Sequence, residues 1–487
     1  MSSDKRHVNN QETPPATDAL SVSTVDDLEE SILIVADPHN LGENLTEPHT
    51  LMNFIKGNIG TGVLSMPVVL RYSGLWVRNG LITSFNIFIQ TGFFMIIFAG
   101  SVASYLMKVL VRTSRSVREK YNLDRSKMDY TETVFYVFKY GPPCLRKPKG
   151  KIKHTVNVFL IVTQIGFSCV YTLFITDNLR YFLHAFFPDL YLNFYVVALI
   201  VCVCLIPMSL WSSMRVLAHL SAVANLATLI GAMLIFAYLL SSGLLPFSTL
   251  PVYTNPRGIL IGFSIVMFSF EGISLVLPIE SKMAHPEFYL HPFGVLSVGM
   301  TIIISLNAAF GFFGYLKFGE KAEGTITLNI PHSPWWFSPV QPLFVVAICF
   351  TYLLQFYIPA SIFARLMEKL RCHREASERR RYINLKVMRA LLVMFAYVMV
   401  ITIPKLDLMI SLIGAFASSI LAFILPPVLE IVHLWEDRHH IKWFWLTVVV
   451  KHAFFLCIGL LSFVGGTVAT LLQLIEAFNT PDQPKSL

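Results

Sequence analysis

The stretch NFIKGNIGTGVLSMP, residues 53 to 67, decides how this chain folds. It lies in a region apolar enough to enter a membrane, yet it contains three glycines, two asparagines, a lysine and a proline. Glycine lowers the stability of a helix by ~1 kcal/mol and proline by ~3 kcal/mol, so we expect an interrupted helix here. In lipid, freed backbone groups are tolerated only where they line a cavity or meet a ligand.

The composition of the whole chain is that of a helical membrane protein. Of its 487 residues, 54% are hydrophobic and 14% are charged, and the mean hydropathy is +0.60. The apolar runs are continuous over ~20 residues, not alternating over ~10, which excludes a membrane barrel. The net charge of +8 fits the basic bias that orients membrane helices, and no nucleic-acid-binding motif accompanies it.

We predict a tail, a membrane domain of eleven helices and a second short tail. Residues 1–47 are polar and acidic, which predicts a disordered cytoplasmic tail. Residues 48–476 form the membrane domain, with helices 1–5 at about 49–241, helices 6–10 at about 257–433 and helix 11 at about 443–473; residues 477–487 form an external or lumenal tail. The predicted spans are 49–72, 79–107, 154–184, 193–211, 216–241, 257–281, 292–316, 339–368, 386–403, 406–433 and 443–473.

The distribution of lysine and arginine predicts the orientation of these spans. Residues 108–153 carry 13 of these residues and residues 369–389 carry eight, whereas 185–192 and 241–256 carry none. Both basic connections fall on the side of the N-terminus, which is therefore predicted to be cytoplasmic. With eleven spans, the C-terminus lies outside the cell or in a lumen.

Span six contains a second interruption, MFSFEGISLVLPIE, residues 267 to 280. Gly272 precedes Pro278 by six residues, much as Gly62 precedes Pro67 by five. Spans one and six would open the two halves of a five-plus-five inverted repeat, and interrupted helices at corresponding positions indicate a transporter site near the membrane midplane. The alternative is close helix packing through small residues.

Several motifs resemble the amino acid/auxin permease family, in its proton-coupled amino acid transporter branch. They are KGNIGTG (56–62), FEGISLVLPIE (270–280), TYLLQFYIPA (351–360) and IPKLDLMISLIGAFASSILAFILPPVLE (403–430), and the resemblance covers about residues 45 to 478. It implies an all-α polytopic membrane protein with the LeuT-like 5+5 inverted repeat, eleven transmembrane helices and broken helices 1 and 6. It also implies symport of small neutral amino acids, such as glycine, alanine and proline, with protons.

One position departs from the pattern of that branch. A histidine commonly stands three residues before the lysine of KGNIGTG, and here that position is Asn53. Asparagine does not titrate, so a proton cannot be carried there. If protons drive this chain, another group takes part.

Candidate substrate-binding residues lie at both breaks and in span eight. Half-helix ends carry opposite partial charges, which suits a carboxylate at the first break and an ammonium at the second. The predicted residues are Gly57, Asn58, Gly60, Thr61, Gly62, Phe268, Ser269, Phe270, Gly272, Tyr352 and Gln355. Thr61 could instead hydrogen-bond within its own helix, and Phe268 and Phe270 could face lipid.

Four further residues are candidates for proton coupling or gating: Glu271, His219, Asp177 and Arg180. An acidic residue within a membrane segment is costly and indicates function, and a low-dielectric surrounding favours the neutral carboxyl that a proton carrier requires. The alternatives are a structural hydrogen bond at Glu271, an interfacial one at His219, and a surface ion pair between Asp177 and Arg180.

Glu280 lies near the predicted cytoplasmic end of span six. We expect it to pair with Lys282 or with solvent. Lys282 is the nearest basic residue in the sequence.

The leading functional hypothesis is a secondary transporter of small neutral amino acids. An amino-acid sensor, Na⁺-coupled transport and uncoupled transport remain alternatives. No HExxH motif or nucleophile–base arrangement appears in the spans, so we predict no enzyme, no metal and no cofactor beyond the coupling proton. The expected partners are a small amino acid and the lipid bilayer.

The N-terminal tail contains EESILI, residues 29 to 34, an acidic dileucine pattern formed by Glu29, Leu33 and Ile34. Such a pattern would bind sorting adaptors from the cytoplasm. The predicted location is therefore the plasma membrane or a lysosomal or endosomal membrane.

Overall fold

The computed structural model describes residues 46–74, 91–125, 128–146, 149–189, 193–210, 214–241, 243–246 and 255–479. Within these ranges it describes every side chain except those of residues 91, 144, 149, 214–222, 354, 371 and 372. The ranges belong to one compact unit, Glu43–Leu487. The predictions for residues 1–45, including the sorting motif Glu29, Leu33 and Ile34, and for the C-terminal tail from 480 lie outside the described residues.

The first half of the membrane unit begins with a broken helix. Its two main parts, α1 and α2, are separated by the single turn Thr61–Leu64. The helices of this half are α1 (Glu47–Asn58), α2 (Met66–Ser73), α3 (Thr91–Tyr121), α4 (Tyr130–Tyr140), α5 (Lys149–Phe186), α6 (Phe194–Leu210) and α7 (Met214–Leu240).

The second half also begins with a broken helix, formed by α8 and α9. The helices of this half are α8 (Pro256–Ser269), α9 (Ile273–Ser281), α10 (Val295–Phe318), α11 (Val340–Glu368), α12 (Glu378–Thr402), α13 (Leu406–Leu434) and α14 (Trp445–Asn479). The last two contain π-helical stretches, Gly414–Ile424 in α13 and Trp445–Val450 and Leu461–Gly466 in α14.

Nine helices in the described ranges are long and apolar enough to cross a membrane. The broken first helix has no uninterrupted segment of that length, and the 17-residue α6 is shorter. These two account for the difference from the eleven predicted spans, and the total of eleven stays a prediction.

Two helix ends differ most from the sequence prediction. The predicted second span ended at 107, but α3 continues to Tyr121, so Lys108, Arg112 and Arg115 are helical. The predicted ninth span began at 386, but α12 begins at Glu378. Hydropathy detects the apolar part of a helix, whereas basic helix ends continue past it with their charged groups reaching polar surroundings.

The two broken helices pack crosswise. The α8 segment lies against α2, and the α9 segment lies against α1. The first part of one broken helix therefore accompanies the second part of the other, as an inverted repeat requires. Around this pair, α10 packs on α1, α2 and α3, while α11 packs on α5 and α7.

Candidate functional site

The first helix break lies between α1 and α2. The α1 helix ends at Asn58, and the backbone is extended at Ile59 (φ −95°, ψ 100°) and at Gly60 (φ −131°, ψ −150°). Helical structure resumes at Thr61. The break therefore falls within the glycine-rich stretch, although Gly57 is still helical.

The second break, between α8 and α9, is a tight turn. The α8 helix ends at Ser269 and α9 begins at Ile273. Between them, the amide of Glu271 donates a hydrogen bond to the carbonyl of Phe268 over 3.3 Å, and the amide of Gly272 donates over 3.2 Å to the carbonyl two residues earlier. This turn falls within the interruption predicted at 267–280.

The two breaks touch each other at two glycines. A Cβ added to Gly62 would lie 2.7 Å from the Cα of Ser269, and one added to Gly272 would lie 1.9 Å from Asn58 Oδ1. Real Cβ atoms essentially never approach other atoms this closely. Glycine at both positions is what permits this approach of one break to the other.

A small cavity lies where the breaks meet. Its lining comes from the first break, from the end of α8 and the turn that follows it, and from α5 and α11: Gly57, Asn58, Gly60, Thr61, Gly62, Phe167, Tyr171, Phe268, Ser269, Glu271 and Gln355. Its volume is about 10 Å³, on the order of the space that one water molecule needs. An amino acid is larger, so the cavity has to widen before it can hold one.

Four buried oxygen atoms of the cavity lining lack hydrogen-bond partners within the described part of the chain. They are Asn58 Oδ1, Thr61 Oγ1, Glu271 Oε1 and Gln355 Oε1. A buried polar atom without a partner costs about 1–3 kcal/mol, so most such atoms in proteins are satisfied. Four of them around one cavity indicate a site for a polar ligand.

Aromatic rings form the apolar part of the lining. The rings of Phe167 and Phe268 lie 4.6 Å apart between centroids, and the ring of Tyr171 lies 6.1 Å from that of Phe167. The sequence prediction included Phe268 but missed Phe167 and Tyr171. Both stand on α5, a long apolar helix without an interruption, and their spacing of four residues is the one signal that they share a face.

The chain matches, over residues 43–472, the family model described as "Transmembrane amino acid transporter protein". It belongs to this family of amino acid transporters. It is similar to the "Proton-coupled amino acid transporter-like protein pathetic" of Drosophila melanogaster, with 30% identity over 458 residues that cover 91% of this chain and 89% of the relative. It is also similar to the "Probable amino acid transporter skat-1" of Caenorhabditis elegans, with 27% identity over 458 residues, 92% of this chain and 94% of the relative.

Among solved structures, the chain is similar to Mhp1, a nucleobase-cation-symport-1 family transporter in a closed conformation with bromovinylhydantoin bound. The TM-score is 0.50, the sequence identity is 13%, and the match covers 91% of this chain and 94% of that one. At this identity the likeness concerns the fold alone. It confirms the predicted fold class, an all-α LeuT-like inverted repeat, and the family confirms a membrane transporter rather than an enzyme.

Three predicted substrate-binding residues of this transporter lie outside the cavity lining. Phe270 is buried against α3, where a Cβ on Gly100 would lie 2.8 Å from its Cζ. Gly272 contacts Asn58 instead of lining the cavity. Tyr352 is fully buried and its ring stacks on Phe356 at 5.6 Å.

The residues predicted to couple protons or to gate are scattered. Glu271 is 5% exposed and lines the cavity. Asp177 and Arg180 are half-buried on α5, six and nine residues beyond Tyr171, on the order of 9–14 Å along the helix. His219 lies on α7, but its side chain is outside the described residues. Within the described ranges, no three His, Cys, Asp or Glu side chains form a group that could hold a metal ion.

A cluster of polar contacts ties α2 to the beginning of α13. The guanidinium of Arg71 lies 3.2 Å from Asp407 Oδ2 and also donates to the carbonyl of Ala322. The hydroxyl of Tyr72 donates to the same Asp407 oxygen over 2.7 Å. We call Arg71, Tyr72 and Asp407 the α2–α13 latch.

The expected pairing of Glu280 with Lys282 or solvent is wrong. Glu280 is 3% exposed, and its carboxylate lies 3.0 Å from Arg115 Nε, 3.8 Å from Arg118 Nη1 and 4.0 Å from Arg125 Nε. Burial lowers the pKa of the Arg125 guanidinium, and the charge of Glu280 raises it. Residues two apart on a helix point in different directions, whereas α3 and the loop after it bring three arginines to Glu280. We call these four residues the Glu280 cluster.

Proposed function

We propose that this transporter carries small neutral amino acids, of the glycine, alanine and proline type, in symport with protons by alternating access. The observation that carries the proposal is the meeting of two helix breaks around four unpartnered buried oxygens. A zwitterion offers one anionic and one cationic group within a few ångströms. Exposed backbone at two helix breaks offers the complementary partial charges.

Each end of the substrate has a proposed partner. The carboxylate would accept hydrogen bonds from backbone N–H groups where the helix resumes after Gly60, because the first N–H groups of a helix have no partner within it. The ammonium would donate to side-chain oxygens of Asn58, Glu271 and Gln355, which lack partners among the described residues. Thr61 would add a hydroxyl to the carboxylate side.

The apolar lining supports a small substrate side chain. Phe167 and Phe268 lie against each other at 4.6 Å beside a cavity of about 10 Å³. A large side chain would have to separate the two rings. The side chains of glycine, alanine and proline are the ones that require the least displacement of these rings.

Proton coupling is proposed through Glu271. It is the carboxyl residue in the cavity lining, and it is almost fully buried. Protonation would remove a charge that is costly to keep in a low-dielectric site. The Drosophila relative is named "Proton-coupled amino acid transporter-like", which supports the same coupling ion here.

The two clusters at the ends of the broken helices fit alternating access. The α2–α13 latch joins the second half of the first broken helix, α2, to α13. The Glu280 cluster joins the second half of the other broken helix, α9, to α3. With the cavity too small for an amino acid, this arrangement corresponds to a closed state. Opening at one cluster while the other holds would admit substrate from one side only, with the Glu280 side cytoplasmic in the predicted orientation.

The test is uptake of labelled alanine, glycine and proline into proteoliposomes, with and without an inward proton gradient. We expect accumulation that depends on the proton gradient and persists without Na⁺. Binding without flux would replace the transporter with the sensor hypothesis. Flux that is independent of the proton gradient but requires Na⁺ would support a transporter and contradict proton coupling.

Two neighbouring phenylalanines provide a matched test of the size selection. Phe268 lines the cavity, whereas Phe270 packs against α3. Phe268→Ala removes one of the two rings, so the ratio of leucine uptake to alanine uptake should rise about tenfold. This ratio corresponds to a free-energy difference of ~1.4 kcal/mol. Phe270→Ala should leave the leucine-to-alanine ratio unchanged even if it lowers total uptake. Equal ratios in both variants would remove Phe268 from the size selection.

The membrane in which the transporter works is proposed from the sorting pattern. Glu29, Leu33 and Ile34 would direct the protein to endolysosomal membranes. Leu33→Ala combined with Ile34→Ala should move a tagged protein to the plasma membrane. An unchanged distribution would remove the motif from the proposal.

A further inference from the structure

A second titratable group lies away from the cavity, between α13 and α14. His452 Nε2 lies 2.5 Å from Glu430 Oε2, and the histidine side chain is fully buried while that of Glu430 is 19% exposed. Of the histidine side chains that the structure describes within its membrane helices, His452 alone is completely buried. The pair has no role in the proposed substrate site.

The pair is enclosed by α3 as well as by its own helices. The ring of Tyr105 stacks on His452 at 6.3 Å with an interplanar angle of 24°, and Phe455 lies 6.1 Å away. Among the described residues, neither ring nitrogen of His452 nor Glu430 Oε2 makes a hydrogen bond of regular geometry, although Nε2 and Oε2 lie within ion-pair distance. The charged and titratable groups near the pair are Tyr105 and Arg112 on α3, His433 on α13 and Lys451 on α14.

The two protonation states of the pair differ in buried net charge. Imidazole is the side chain that gains its charge near neutral pH. With His452 protonated, the pair is an ion pair without net charge; with His452 neutral, the negative charge of Glu430 remains. Because a buried net charge is costly, the two states favour different packing around the pair.

Both helices that carry the pair also contact α8, whose end forms part of the cavity. A Cβ on Gly414 of α13 would lie 1.9 Å from the carbonyl oxygen of Ser264 and 3.0 Å from Phe268 Cβ. A Cβ on Gly466 of α14 would lie 2.3 Å from Ser264 Oγ. A shift of α13 therefore acts on Ser264 and Phe268 of α8, and a shift of α14 acts on Ser264.

The local helix geometry favours such a shift. Glu430 follows the π-helical stretch Gly414–Ile424, and His452 lies between the stretches Trp445–Val450 and Leu461–Gly466. Stretches of π-helix inside α-helices are rare and occur frequently at functional sites. They interrupt the regular hydrogen-bond pattern on both sides of the pair.

We propose that Glu430 and His452 form a proton-binding site, distinct from Glu271, which sets the pH range of transport by changing how α13 and α14 pack on α8. This inference rests on the proposed transport function. It assigns to the pair a role in modulation, not in contact with the substrate.

The experiment compares His452→Gln with His433→Gln in proteoliposomes. His433 is the matched control because it stands on α13 near Glu430 but bonds Ser116 Oγ at 2.9 Å. The readout is exchange of labelled for unlabelled alanine, with equal pH on both sides, between about pH 5.5 and about pH 7.5, where histidine titrates. We expect the exchange rate of His452→Gln to vary at least about twofold less over this range than that of the wild type, while His433→Gln keeps the wild-type variation. Any variation that remains in His452→Gln belongs to Glu271.

Glu430 provides a second variant if His452→Gln does not fold. Glu430→Gln removes the charge and should flatten the profile equally, and the double variant should add nothing because the two residues act as a unit. Glu430→Asp keeps the charge and should shift the midpoint of the profile without flattening it. Thermal unfolding in detergent across the same pH range gives a readout independent of transport: the wild type and His433→Gln should share a pH-dependent change in unfolding temperature that His452→Gln lacks.

The outcomes separate this inference from the proposed function. Wild-type protein that exchanges no alanine at any pH would overturn the transport function itself. Wild-type protein that exchanges alanine with the same pH profile as well-inserted His452→Gln and Glu430→Gln would overturn the proton-binding site and leave the pair as a structural contact between helices. The unfolding experiment tests the proton-binding site without any transported substrate, so it stays informative even if the transport function is overturned.

Discussion

The two helix breaks of this transporter are built differently. The first is an extended segment at residues 59 and 60, and its close contact with the second runs from Gly62 to the backbone of Ser269. The second is a tight turn, and its close contact with the first runs from Gly272 to the side chain of Asn58. Backbone cannot rotate away from an added methyl group, whereas a side chain can. The first contact should therefore tolerate less change than the second.

The two breaks also contribute different chemistry. Both supply unpartnered oxygens, but the group at the second break, Glu271, can gain or lose a proton, whereas Asn58 and Thr61 at the first cannot. With Asn53 in place of a titratable residue, the first break is suited to binding and the second to coupling. The predictions below test this division, in order of decreasing effect.

Gly62→Ala should have the largest effect. Its Cβ would lie 2.7 Å from Ser269 Cα and 2.8 Å from Ser269 Cβ, so the two broken helices must separate. Overpacking of this kind costs about 1–3 kcal/mol, and here it distorts the site itself. We expect alanine uptake to fall at least about 100-fold, measured in proteoliposomes with equal amounts of inserted protein.

Gly465→Ala is the matched control for that substitution. It also places alanine in a membrane helix, but its Cβ would meet other atoms only at 3.4 Å, an ordinary contact distance. Uptake should be close to the wild-type value. If adding Ser269→Gly to Gly62→Ala restored uptake, the added Cβ would clash with the Ser269 side chain and not with its backbone. The proposed difference in tolerance between the two breaks would then be wrong.

Gly272→Val should also abolish most uptake, but through a side chain. A Cβ at this position would lie 1.9 Å from Asn58 Oδ1. Asn58 Nδ2 donates to the carbonyl of Phe54 over 2.8 Å, so moving the amide breaks that hydrogen bond and displaces one of the four cavity oxygens. We expect a loss of about 30-fold, which is ~2 kcal/mol, in the same uptake assay.

The milder Gly272→Ala makes the contrast quantitative. Combining it with Asn58→Ala removes the overlap, so the double variant should be more active than the product of the two single effects predicts. If the activity of the double variant equalled the product of the two single effects, the methyl group at 272 and the Asn58 side chain would not compete for space, contrary to the structure.

Glu271→Gln should separate binding from coupling. Glutamine has nearly the shape of glutamic acid and cannot exchange a proton, so substrate exchange should persist while accumulation driven by a proton gradient falls at least about tenfold. The measurement is the ratio of gradient-driven uptake to alanine exchange in the same vesicles. Unchanged pH dependence of uptake would exclude Glu271 as the proton carrier.

The sequence identified both breaks because their residues are intrinsically poor in helices. The stretch around Gly60 and the stretch around Gly272 stand out from uniformly apolar surroundings, and the second lies where an inverted repeat requires it. Glu271 and Gln355 were also recognisable, since polar groups in apolar spans are costly. All of these signals are local in the chain.

What the sequence did not reveal depends on contacts distant in the chain. Phe167 and Tyr171 belong to a helix whose apolar residues are distributed around its whole circumference, so hydropathy alone does not indicate which face meets the cavity. Glu280 was predicted to pair with Lys282 or solvent, yet its partners come from α3 and the loop that follows it, more than 150 residues earlier. Phe270 was predicted in the site because it stands at the second break, and Tyr352 because helical spacing places it on one side with Gln355. The structure instead packs Phe270 against α3 and stacks Tyr352 on Phe356.

Gly60→Ala should have the smallest effect of the glycine substitutions at the breaks. Gly60 has φ of −131°, which any residue adopts, so alanine introduces no backbone strain. Its Cβ would lie 3.0 Å from the hydroxyl oxygen of Tyr171, the end of a side chain that can move by a few tenths of an ångström. We expect uptake to fall only about three- to fivefold, or ~1 kcal/mol, and Tyr171→Phe to restore most of it by removing that oxygen. A loss as large as that of Gly62→Ala, without rescue by Tyr171→Phe, would mean that the extended segment at 59 and 60 requires glycine for the motion between open and closed states and not for space in the closed one.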